Sequence, residues 1–211
     1  MLPPVHQYHS VVSERDGVGN NILAMQKMFR GMGHESEVFY DVCSKSLKDH
    51  LHPWDSYEEF SGSETILIVH YSLDHPNLSV LNRLADKVVF AYHNITPPGF
   101  FECVSVKVAD ECRRGRNRLP SFKDRAACAV GSNDFNLAEL RLAGFRQNFC
   151  VPELINFKLY HTPPNPRIVE ELISDDTVTW LFVGRMLPHK RHDDVIRTFF
   201  YYQNISTPDR A

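Results

Sequence analysis

Apolar positions in this chain fall into two rhythms. TILIVHY, from Thr65, and VVFAYHN, from Val88, are short β-branched and aromatic runs of strand length. Between them PNLSVLNRLA predicts a short connecting helix, which makes the unit a parallel βαβ. Upstream, Val5 to Tyr8 predicts a short strand, followed by the polar loop SVVSERDGVG. NNILAMQKMFRGMG then sets Ile22, Met25, Phe29 and Met32 on one helical face, with Gly31 and Gly33 marking its end. ESEVFY returns as a strand, and residues 41–63 read as a loop with one short helix. Further on, a helix with a basic face is predicted from Phe100 to Arg118, then a strand at AACAV. SNDFNLAELRLAGF predicts a capped helix, with Ser132 or Asn133 at the N-cap and Gly144 closing it. The alternation predicts an α/β fold, a Rossmann-like parallel sheet with helices on both faces.

The stretch VPELINFKLYHTPPNPRI, with Pro152, Pro163, Pro164 and Pro166, reads as an interdomain linker. After it the alternation restarts, with a strand at VTWLFVG and a helix from Asp193 to Gln203. The expected division is therefore a domain over 1–160, a linker over 161–176, and the first strand–helix unit of a second, incomplete domain over 177–211.

Composition narrows the possibilities. At 211 residues, with 43% hydrophobic and 23% charged positions, the chain can bury a core. A net charge of −3 argues against a nucleic-acid partner. No apolar run approaches a membrane span, and MLPPVHQYHS lacks the pattern of a secretory signal. The five cysteines include no CxxC and fit reduced, cytosolic thiols. Eleven histidines include the pairs His6/His9 and His50/His52, but no ligand set surrounds them, so no metal is expected.

Three stretches carry candidate chemistry. In LFVGRMLPHKR, Arg185 and Lys190 follow the end of a predicted strand, where parallel sheets place ligands. They suit the oxygens of a diphosphate, the alternative being a solvated basic turn. In DGVGNN, Gly17 and Gly19 precede a helix and permit close backbone approach to an anion, though a plain turn and cap fits equally. His93 ends a strand and projects towards a crevice, where it could orient a hydroxyl or donate to a sugar oxygen or phosphate, the alternative being a histidine hydrogen-bonded at a strand end. His70, at another strand end, is the weaker candidate, and Arg113 to Arg118 read as a solvated face.

Taken in order, DGVGNNI, GHESEVF, YHNITPP, GSNDFNLAELRLAGF and FVGRMLPHKR resemble the retaining glycosyltransferases of family 4, which have the GT-B fold. The similarity runs from about His6 to Tyr202 and is nearest to bacterial enzymes that build surface polysaccharides or lipid-linked glycans. The resemblance implies transfer of a hexose from a nucleoside diphosphate sugar to a hydroxyl of a glycan or lipid-linked acceptor, with retention and without an obligatory metal or other cofactor. It implies that Arg185, Lys190, Gly17 and Gly19 grip the donor diphosphate, that Asp16 lies near the acceptor, and that His93 acts at the reacting sugar. It also implies a cytoplasmic enzyme, with peripheral membrane contact through the basic face. The first strand is shorter than the family's, and the carboxylate motif of the donor-binding lobe has no counterpart here. The alternative expectation is a non-catalytic remnant that serves as a binding or interaction module.

Overall fold

The computed structural model describes residues 2–14, 16–155, 157, 161–173 and 178–206. Seven strands form one wholly parallel sheet: β1 (Val5–Val12), β2 (Val38–Cys43), β3 (His52–Pro53), β4 (Ile66–Tyr71), β5 (Lys87–Tyr92), β6 (Ala126–Gly131) and β7 (Asn148–Cys150). Their spatial order is β3-β2-β1-β4-β5-β6-β7. The chain winds outward from β1 in one direction and then in the other, so the connections diverge between β1 and β4. In open α/β sheets ligands bind at that switch point, beyond the carboxyl ends of the strands. The expected Rossmann-like α/β architecture is the observed one.

Alternate residues of each strand serve opposite faces. Leu67, Val69, Tyr71, Phe90 and Tyr92 join the larger core with Ala109 and Cys112 of α2 (Val106–Arg118) and Leu137 and Leu140 of α3 (Asp134–Leu142). The other face carries Val5, Ile68 and Ala91, against which Met25 and Phe29 of α1 (Gly17–Gly31) pack. Helix ends follow the capping residues. Asp16 accepts from the Gly19 amide to start α1, and Gly33 reverses the chain after it at φ +92. Asn133 caps α3 by accepting from the Asn136 amide, and Gly144 follows at φ +90.

Several expectations need correcting. Strand β1 extends to Val12 rather than ending at Tyr8, because β2 pairs with it as far as Val12, whereas β4 pairs only up to Tyr8. The connection over Pro76–Arg83 is a 3-10 helix, and the Phe100–Arg118 helix begins only at Val106, where Ser105 accepts from the Val108 amide. Within the expected linker a helix, α4 (Pro166–Ile173), opens on proline at its first turn. The expected strand over 178–184 is not formed. A strand needs a neighbour for its backbone donors and acceptors, and no described strand lies beside it. Its Leu181 and Val183 are 85% and 83% exposed. The last described element is α5 (His192–Ser206), and no described helix is long and apolar enough to cross a membrane.

Candidate functional site

The face of the sheet that α1 covers changes character along its strands. In β1 the side chains on that face run Val5, Gln7, His9; in β4 they run Ile66, Ile68, His70; in β5 they run Val89 and Ala91, with His93 immediately after the strand. Apolar residues anchor the amino ends, and three imidazoles gather at the carboxyl ends on either side of the switch point.

These rings form a connected network. His70 Nδ1 lies 2.8 Å from His93 Nε2, and the two rings stack with centroids 5.1 Å apart. On its other side His70 Nε2 lies 3.0 Å from Gln7 Oε1, while Gln7 Nε2 donates to the Ile22 carbonyl of α1 at 3.1 Å. His9 Nδ1 bonds the His70 backbone carbonyl at 3.0 Å. Burial keeps His9 and His70 neutral. It pushes the His9 pKa down to about 4, with the hydrogen bond to the His70 carbonyl partly offsetting, and it takes His70 well below the usual imidazole range, helped by the neighbouring His93 and His9 rings.

A cavity of about 170 Å³ opens beside the network. Met25, Met28, Val130, Val151 and Leu154 supply apolar walls, and His70, His93, Asn21, Ser132 and Glu153 the polar points. Residues after β7 form its rim. The Val151 amide donates to the Gly131 carbonyl, and the Leu154 amide to Asn21 Oδ1 of α1 at 2.8 Å. This brings Glu153 Oε1 to 3.8 Å from His93 Nδ1, outside hydrogen-bond range. The His93 side chain is 8% exposed, and its Nδ1 is buried without a hydrogen-bond partner. Immediately after it, Asn94 adopts φ 61 and the Ile95 amide donates to the Tyr92 hydroxyl, which fixes the chain's exit from β5.

The remaining expected site residues lie elsewhere. Gly19 packs against the loop before it, where a Cβ would sit 2.0 Å from the Ser13 carbonyl oxygen. Gly17 faces open space. Asp16 caps α1, so its carboxylate occupies the helix end that an anion would approach. Arg185 and Lys190 are exposed, do not line the cavity, and make no hydrogen bond or ion pair through their side chains to described residues. Their turn reaches the sheet domain through Leu187, packed on the larger core, and His189, whose ring meets Phe101 edge-on at 5.6 Å. Of the basic face, Arg113 pairs with Glu102 and Asp110, Arg116 with Glu139, and Arg118 with Asp74. Carboxylates therefore cover most of that charge.

Sequence reasoning found His93 and His70 but missed Gln7, His9, Asn21 and Glu153. The period-two run Val5, Gln7, His9 was a usable signal for the first pair. Glu153 had none, since it reaches the cavity only through the path of the chain after β7. Among the described residues no cluster of ligands could hold a metal ion. No protein-family model matches this chain, and no curated protein matches it.

Proposed function

We propose that the chain acts as a retaining hexosyltransferase of GT-B type, moving a hexose from a nucleoside diphosphate sugar to a hydroxyl acceptor in glycan or polysaccharide synthesis. The observation that carries this reading is the cavity at the carboxyl ends of β4 and β5, with His93 at its edge and the switch point beside it. The order of the five motifs gives it its family. In this reading His93 holds a reacting hydroxyl. Arg185 and Lys190, cations without a carboxylate partner among the described residues, meet the charge that grows on the departing diphosphate. Gly19 lets the loop before α1 pack closely against the helix start, and Gly17 leaves room beside it.

The positions of Arg185 and Lys190 outside the cavity lining favour a second reading, a binding lobe that takes an acceptor and turns nothing over. Calorimetry with UDP and GDP on the protein, Arg185→Ala and Lys190→Ala separates the two. The transferase reading expects one nucleotide to bind and each substitution to weaken it by about tenfold, or about 1.4 kcal/mol. Equal affinity in all three proteins, or no binding of either nucleotide, refutes it.

A further inference from the structure

The hydrogen-bond chain behind His93 determines which of its nitrogens carries a proton. Gln7 Nε2 is committed to the Ile22 carbonyl, so the amide oxygen faces His70. An amide oxygen only accepts, and His70 Nε2 must therefore be its N–H. His70 is fully buried and neutral, with a single N–H, which leaves Nδ1 as an acceptor. The group 2.8 Å from that nitrogen is His93 Nε2, which must donate. With one ring hydrogen, on Nε2, His93 has a bare lone pair on Nδ1, buried, unpartnered and bordering the cavity. The carboxylate of Glu153 stands 3.8 Å from it, a second acceptor.

We propose that Gln7 and His70 are positioning residues that lock His93 with its Nδ1 lone pair towards the cavity, so that the cavity takes a neutral, hydroxyl-bearing ligand whose O–H is shared by His93 and Glu153. Two adjacent acceptors call for a donor between them, and a carboxylate at the rim repels phosphate. The apolar walls at Met25, Met28 and Val130 suit the C–H face of a sugar ring. The locked proton removes one role considered for His93 in the sequence: with its hydrogen on Nε2 committed to His70, the ring has none on the cavity side to give a phosphate. The sugar-like identity of the ligand rests on the transferase reading; the proton placement does not.

Long-range ¹H–¹⁵N correlation spectra of the protein read the protonation of each ring nitrogen. The expectation is that His70 and His93 both carry hydrogen on Nε2 and that His93 Nδ1 is bare. Methyl α-glucopyranoside should move the His93 Nδ1 resonance, and inorganic pyrophosphate should not. Glu153→Gln, at a half-exposed position that tolerates change, supplies its own amide donor to Nδ1 and should abolish the response to the glucoside. His70→Phe removes the acceptor and should transfer the His93 hydrogen to Nδ1, opposite Glu153, whereas His70→Gln, which can still accept, should restore the original form. A protonated His93 Nδ1 in the free protein overturns the inference, as does an Nδ1 resonance that the glucoside leaves unmoved or that pyrophosphate shifts more. A protein that passes these tests yet binds neither UDP nor GDP keeps this inference and loses the transferase reading.

Discussion

Acid should unfold this protein through its buried imidazoles, and His9 gives the cleanest measure. Its ring is 4% exposed, its Nδ1 bonds the His70 carbonyl at 3.0 Å, and burial lowers its pKa from 6.5 to about 4. Below the unfolded pKa the unfolded chain takes up a proton that the folded one refuses. The stability associated with a neutral His9 is thus fully present above about pH 6.5 and falls as the pH drops towards about 4, where the folded form titrates as well. Each such histidine steepens the decline by about 1.4 kcal/mol per pH unit, so His9 alone removes about 2 kcal/mol by about pH 5. His70, also depressed, adds to the loss in the same direction. The perturbation is His9→Asn, which keeps an amide donor for the His70 carbonyl and deletes the titrating proton. Urea unfolding followed by circular dichroism at a series of pH values gives the free energies. The variant is less stable near neutrality for its smaller side chain, but its loss between about pH 7 and about pH 5 should be smaller by about 2 kcal/mol. Parallel pH profiles for the two proteins would refute the account of His9 as a buried neutral base.

Two further substitutions test the backbone around the site. Gly19→Ala drives a methyl into the Ser13 carbonyl, a backbone atom that cannot rotate away, and should destabilise by about 2–3 kcal/mol in a denaturant titration, with α1 disturbed first. Asn94 sits at φ 61, a conformation glycine and asparagine accept and β-branched residues resist. Asn94→Gly should leave the melting temperature almost unchanged, while Asn94→Val should lose about 1–2 kcal/mol.

Much of the architecture was legible because its rhythm was strong. The runs at β4 and β5 left no other assignment, and Gly33 and Gly144 marked helix ends where only a left-handed turn could follow. Strands β3 and β7, of two and three residues, are too short to show a pattern. Prolines around residue 165 masked α4, although Ile168, Val169, Leu172 and Ile173 repeat at helical spacing. The expectation at 178–184 failed for a different reason: composition reports the ability to pair, and pairing also takes a partner. At the site, strand-end histidines could be read directly, whereas the proton on His93 depends on an amide 86 residues away, at Gln7, and on which way that amide is turned.

The bond between Leu154 and Asn21 spans 133 positions of sequence. It fastens the start of the first helix to the stretch leaving the last strand, and the cavity lies beneath that clasp. Gln7, His70, His93 and Glu153 likewise arrive from four separate parts of the chain, so no piece that lacks either β1 or the stretch after β7 contains the whole constellation. The recess exists only where β4, β5 and β6 lie side by side and the segment after β7 has reached α1. Any compound that lodges there will recognise only finished molecules, and the rise in stability it confers would serve as a gauge of how many have been completed.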